Sequence, residues 1–321
     1  MAYKVKGKTV VSNGSGSFEQ TVDVQGELVI GSPPMAGTVA GYTSGGDAPP
    51  IVNTIDKFPF ATDTNATDVG DLTQVRDQSA GQSSAENGYT SGGFTPPNAN
   101  TIDKFPFATD ANATDVGNLT QARRFVAGQS SSENGYTSGG FVPPFVNTID
   151  KFPFATDANA TDVGDLTQGR NSVAGQSSQE SGYTSGGIAP PNVNTIDKFP
   201  FAADANATDV GDLTQARFAA AGQSSTENGY TSGGFVPPQV NTIDKFPFAT
   251  DANATDVGDL TTVKNGTTGQ SSTENGYTSG GYAILSGRLN TIDKFSFATD
   301  ANATDVGDLT QARQRSAGQQ D

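Results

Sequence analysis

The groups able to do chemistry in this 321-residue chain are oxygens, amines and guanidiniums, because it contains no Cys, no His and no Trp. Serine-type triads, imidazole proton relays and most zinc sites are therefore excluded, and no disulfide or thiol chemistry is available. Carboxylate, Lys, Tyr and Ser chemistry remains. Three arrangements of such residues stand out. Arg76, Arg123, Arg170, Arg217, Lys264 and Arg313 recur at near-constant spacing. They could ring an anionic sugar, but pairing with carboxylates such as Asp71 and Asp165 is the more economical expectation. Next, Asp110, Asn112, Thr114 and Asp115 space oxygens like the start of a calcium loop. The glycine at the sixth position and the distal bidentate Glu are missing, so Asx turns capping a tight connection explain the segment more cheaply. No metal or cofactor is expected.

The third arrangement is a set of aromatic and polar residues placed where otherwise near-identical segments differ. It comprises Phe94, Arg124, Phe125, Phe141, Phe145, Phe218, Phe235, Gln239, Tyr282 and Arg288. These are the candidate ligand- or partner-binding residues. Asn-Ala-Thr sequons recur at Asn65, Asn112, Asn159, Asn206, Asn253 and Asn302. The N-terminus lacks an apolar signal core, so glycosylation is not expected and the protein reads as soluble and unexported by the usual secretory route. No stretch approaches the ~18 apolar residues of a membrane span.

The elements that position these residues follow from one repeat. Gly-Tyr-Thr-Ser-Gly-Gly begins at Gly41, Gly88, Gly135, Gly182, Gly229 and Gly276, at intervals of 47 residues. A period of that size means a solenoid or a propeller. Within the unit 77–123, four extended runs at 80–82, 89–91, 101–107 and 116–120 are separated by Gly, Pro, Asn and Asp clusters and read as strands A to D. No run has apolar residues at helical spacing. Pro106 removes a ladder donor, so strand C should stop or bulge there. With so few large apolar residues per unit, a lone unit cannot stand, and stacked neighbours must bury each other's faces.

Six units predict six blades. The tail, from Arg313 to Gln320, begins a seventh strand A, and 35–40 ahead of the first strand B lacks that pattern. The C-terminal strand is therefore expected to complete the first blade and latch the ring. An open solenoid would leave ends to be capped. In up-and-down blades the A–B and C–D loops leave one face and the B–C and D–A loops the other. The C–D wording is nearly constant, whereas B–C and D–A vary, so the variation gathers on one face. Variable loops on a rigid scaffold are where binding concentrates; drift at unconstrained tips is the competing explanation.

The glycine pair Gly92-Gly93, the aromatic strand with Phe105 and Phe107, and Leu119 followed by Arg123 resemble the kelch repeat, whose units are ~50 residues with four strands per blade. Kelch blades usually carry a Trp in the last strand, where this chain has Val116-Gly117-Asn118-Leu119. The Ala-Thr-Asp-Ala-Asn-Ala-Thr-Asp-Val-Gly-Asp-Leu-Thr-Gln-Ala-Arg wording more closely resembles propeller-repeat structural proteins of marine bacteriophages, particularly those of cyanobacterial hosts. That resemblance covers 41–321 and implies a virion location.

The net charge of −16 lies in the repeats, because Lys4, Lys6 and Lys8 cancel Glu19, Asp23 and Glu27 in 1–35. Such an acidic surface argues against nucleic acid or anionic membranes as partners. Residues 1–35 are not repeat: 3–11 alternates weakly, 13–17 reads as a turn, 18–30 as one or two strands and 32–34 as a stiff linker. Two or three strands are marginal alone, so the segment must dock on a partner, on the propeller rim or on copies of itself.

The sequence thus predicts an all-β protein: a small N-terminal β anchor (1–35) and a six-bladed kelch-like β-propeller (36–321). The expected function is a non-enzymatic virion structural protein in a tail, fibre or capsid. It would contact other virion proteins through 1–35 and a host-surface glycan or protein through the variable face. The alternative is a soluble intracellular kelch-type adaptor.

Overall fold

The computed structural model describes residues 2–5, 8–11 and 37–321. Ala2–Val5 and Lys8–Val11 pair as an antiparallel hairpin, with Ala2 opposite Val11. The expected turn at 13–17, the strands within 18–30 and the linker at 32–34 lie outside the described residues.

Residues 37–321 form a six-bladed β-propeller of four-stranded antiparallel sheets, with no helix among the described residues. In one blade, strand A is Ala80–Ser83, B is Asn87–Ser91, C is Thr101–Pro106 and D is Thr114–Asn118, hydrogen-bonded in that order. Strand C ends at its proline, and in the last blade at the equivalent Ser296, so the end is kept even where the ladder donor is present. Strands B and D both begin two residues earlier than their residue types predict. For B, the turn tightens onto Ser84, whose hydroxyl accepts from the Asn87 N–H at 3.0 Å, so Asn87 and Gly88 are free to enter the ladder. For D, a bulge intervenes: Asp103 faces Asp115 but Ile102 faces Gly117, which leaves Val116 as the extra residue. Leu119 then falls beyond the strand and turns into the core, 3% exposed.

The ring closes as expected. Ala317–Gln320 pairs antiparallel with Ala40–Asp47, Ala317 opposite Ser44, and so supplies strand A of the first blade. The open-solenoid alternative is excluded by this pairing.

The core lies between blades rather than within them. Tyr89, Ile102 and Leu119 of one blade pack with Phe152 and Ala160 of the next. Tyr89 stacks on Phe154 with ring centroids 4.8 Å apart and tilts against Phe152 at 5.6 Å. The same pattern spans the seam, where Tyr277 meets Phe58 and Phe60. A single unit thus exposes its Tyr and its Phe pair until both neighbours arrive, which makes the fold cooperative across repeats. Around the axis the six A strands approach so closely that a Cβ on Gly81 would lie 2.1 Å from the carbonyl oxygen of Gly318. Glycine at that position sets the radius of the ring.

Candidate functional site

The six recurring cations belong to the framework. Arg76 is fully buried and its Nη2 lies 2.8 Å from Asp103 Oδ2 on the next blade. It also donates to the carbonyls of Thr90 and Thr101 at 2.9 Å each. Asp103 in turn accepts from the N–H and hydroxyl of Thr73, at 2.9 and 2.7 Å. The pairs Arg123–Asp150, Arg170–Asp197, Arg217–Asp244, Lys264–Asp293 and Arg313–Asp56 repeat this around the ring. The expectation of strand-D partners such as Asp71 and Asp165 is corrected: the partner is a strand-C carboxylate of the following blade. Burial pulls each of these arginines below its ordinary value, and the facing carboxylate opposes that shift. A cation enclosed in this way cannot reach an anionic sugar, so this ring is not the binding site.

The C–D loops are also framework. Asn112 Oδ1 accepts from the Asp71 N–H of the preceding blade at 3.0 Å, and Asp115 Oδ1 accepts from the Gly117 N–H at 3.1 Å. The second contact is the expected Asx turn; the first stitches neighbouring blades. All six sequon asparagines make this cross-blade bond.

The opposite face is built differently. Each D–A loop contributes a triplet, and its middle residue is Gln78, Phe125, Ser172, Ala219, Gly266 or Arg315. All six have left-handed backbone, with φ between 54 and 62°. Their peptide groups close a ring around the axis. Phe125 N donates to Gln78 O, Ser172 N to Phe125 O, Ala219 N to Ser172 O, Gly266 N to Ala219 O, Arg315 N to Gly266 O and Gln78 N to Arg315 O, all at 2.7–2.9 Å. The first residue of each triplet is held as well, by pairing with a B–C loop: Asp77 with Phe94, Arg124 with Phe141, Asn171 with Ile188, Phe218 with Phe235, Asn265 with Tyr282 and Gln314 with Asp47. Gly92 and Gly93, at φ 63 and 107°, let the B–C loop fold back to meet that strand-like segment. The backbone of this face is thus fixed by hydrogen bonds, and the six side chains at its centre are all different.

Within the ring sits a depression of about 210 Å³. Phe125, Phe218, Ile188, Ala219, Gln78, Asn171, Asn265 and Arg315 contribute to its wall. The third residues of the triplets form a neck between it and the axial channel below.

The candidate residues read from the sequence divide between these settings. Phe125 and Phe218 line the depression. Arg124 stacks over Phe94 at 4.7 Å, over Phe141 at 5.3 Å and over Phe125 at 5.6 Å. Phe141 packs on Phe145, and Phe218 on Phe235, so aromatic rings occupy two stretches of the rim, with Ile188 between them. Two others serve the framework. Gln239 is 5% exposed, and its amide nitrogen donates to Asn265 Oδ1 and Tyr282 O while its oxygen accepts from Ile284 N. Arg288 lies in the two-residue-longer last B–C loop, where Tyr282–Ala283 pairs with Gly287–Arg288. It reaches across the seam to Asp47, Nη2 to Oδ2 at 2.8 Å and Nε to the carbonyl oxygen at 3.0 Å. Leu285, at the tip of that hairpin, is 98% exposed. Residue types alone missed Gln78, Ser172, Ala219 and Arg315. The available signal was that the middle position of the triplet never repeats.

Residues 37–321 are therefore a six-bladed β-propeller with a nearly constant set of C–D loops on one face and individualised D–A and B–C loops around the mouth of the other. No known protein-family model matches the sequence, and no curated protein is similar to it.

Proposed function

We propose that this protein is a non-enzymatic structural protein of a bacteriophage particle, whose propeller presents the D–A and B–C face to a host-surface molecule or a neighbouring virion protein. The observation that carries the binding role is the concentration of sequence variation in the hydrogen-bonded D–A and B–C loops; on the other face the loops differ mainly at the A–B tip, which reads Ala85, Ser132, Gln179, Thr226 and Thr273. The C–D loops keep their wording because their Asn side chains bond the neighbouring blade, whereas the backbone-held D–A and B–C loops leave their side chains available for contact with a partner. The virion assignment is supported by the resemblance of the repeat wording to propeller-repeat phage proteins, and residues 1–35 are assigned to attachment on other virion components. The lack of His and Cys and the near-sixfold copying of the framework favour a binding role over catalysis.

Gold-labelled antibody on purified phage particles tests this by electron microscopy. Label at a tail tip or fibre supports host recognition, and label on capsid or neck supports decoration. Unlabelled particles would overturn the virion assignment in favour of an intracellular adaptor.

A further inference from the structure

We propose that the axial depression is a binding site for one acidic pyranose, a uronate unit of a polysaccharide, with its carboxylate on Arg315 and its ring against the aromatic wall at Phe125. This rests on the reading of the variable face as the binding face and names the class of ligand it takes.

Four observations carry the inference. The first is size: about 210 Å³ is below the ~300 Å³ at which drug-sized ligands begin. One ring fits, and a folded peptide does not. Second, the wall has two sides. Going round the neck, Val126, Val173 and Ala220 are followed by Thr267, Ser316 and Ser79. Above the apolar arc stand Phe125, Ser172 and Ala219, and above the hydroxyl arc Gly266, Arg315 and Gln78. A pyranose has the same division, with C–H faces that pack on aromatic rings and an edge of hydroxyls.

Third, oxygens are left over. Among the described residues Ser79 Oγ, Thr267 Oγ1, Asn171 Oδ1 and Gln78 Oε1 are buried without a hydrogen-bond partner, as is Asp77 Oδ1, and Ser79, Thr267, Asn171 and Asp77 are each more than nine-tenths buried. Unpaired buried polar groups are rare and call for a partner. These accept hydrogen bonds, so they suit a ligand rich in O–H donors.

Fourth, Arg315 forms no ion pair with a carboxylate among the described residues. Its guanidinium lies 5.6 Å from the Phe125 ring centroid. Of the acids that feel its charge, Asp47 is taken by Arg288 and Gln314, and Asp77 accepts from Gln78 Nε2. A guanidinium offers paired N–H groups that match a carboxylate.

The backbone adds a further reason to assign a role to these side chains. Glycine is the residue that suits a left-handed position, and bulkier residues are strained there. Only one copy uses it, at Gly266; the others hold Gln, Phe, Ser, Ala and Arg.

The test is calorimetric titration of the full chain with sodium galacturonate and trigalacturonate. Galactose and a short peptide with a free C-terminal carboxylate serve as comparison ligands. The expected result is uronate binding that is about tenfold or more tighter than galactose, as loss of a charge-assisted pair predicts. Arg315→Gln should lose the same factor and Arg315→Lys should recover part of it. Ala219→Asp places a repelling carboxylate in the bowl at a left-handed position that Asp tolerates. It should abolish uronate binding while leaving the melting temperature unchanged. Equal binding of uronate and galactose, no uronate binding, or preference for the peptide would overturn the proposal. Particle adsorption after replacing all six triplets with one sequence keeps the two readings apart. Lost adsorption with no uronate binding removes the sugar and keeps the face, whereas uronate binding with normal adsorption keeps the sugar and removes the face from attachment.

Discussion

The seams between blades and the mouth of the ring use arginine, aromatic rings and amides under opposite rules. At a seam, Arg76 is sealed against Asp103 and two carbonyls, and Tyr89 against Phe152 and Phe154. At the mouth, Arg124 and Arg315 stack on the half-buried Phe125, and neither forms an ion pair among the described residues. A buried charge without its partner is costly, and a packed ring has one shape that fits. Five of the six seams therefore repeat the same Arg–Asp pair, and the remaining one keeps the charge with Lys264. At the mouth, peptide groups carry the structure, so side chains are free to differ. Identity is constrained where side chains hold the fold and released where the backbone holds it.

The strongest way to break that contrast is at a seam. Asp197→Ala would strand Arg170 in the interior and remove the acceptor of the Thr167 N–H and hydroxyl. A loss of about 3–5 kcal/mol is expected in chemical denaturation. A loss under 1 kcal/mol would mean that the seam charges are dispensable.

The one irregular seam offers a gain. Lys264 reaches Asp293 at 3.2 Å and Thr291 Oγ1 at 3.4 Å. The equivalent Arg217 instead donates to the carbonyls of Thr231 and Thr242. Lys264→Arg should restore the corresponding bonds to Thr278 and Thr291 and stabilise by about 1 kcal/mol. Unchanged or lowered stability would show that the fifth seam has adapted to lysine.

The closing seam should also respond to acid. Burial alone would raise Asp47, but hydrogen bonds from Arg288 and Gln314 and the charge of Arg288 hold it below the usual carboxylate range. With its folded value depressed, its contribution is present above the unfolded value of ~4 and is lost as pH falls through the lower folded value. Asp47→Asn should flatten the decline in melting temperature below about pH 4. The same acid dependence in the variant would remove Asp47 from the seam's acid response.

The smallest effect belongs to the mouth. Ser172→Gly removes a side chain from a left-handed position while keeping both ring hydrogen bonds. Stability should stay within about 1 kcal/mol, since relief of backbone strain offsets the added freedom of the unfolded chain. A larger loss, measured by denaturation, would mean that side chains do hold this face.

Much of the fold was legible in the sequence because repetition is a one-dimensional signal. The 47-residue interval, the four runs per unit and the unfinished seventh strand A specify six blades and a latch at the C-terminus. Segregation of variable loops on one face follows from antiparallel order alone. The starts of strands B and D were less legible, since Asn87, Gly88 and Thr114 are turn-type residues that enter ladders only because Ser84 and a bulge shift the register.

What only the tertiary structure decided are the relations between blades. Arg76 finds its carboxylate on the next blade because the two chains meet side by side, and no local spacing marks Asp103 above Asp71 as the partner. Gln239 and Arg288 looked free to bind because they vary, yet packing spends both on the last two blades and the seam. The positive φ shared by Gln78, Phe125, Ser172, Ala219 and Arg315 has no common residue type behind it. It is imposed by closure of the six peptide groups into one ring, a constraint that exists only once the last blade has met the first.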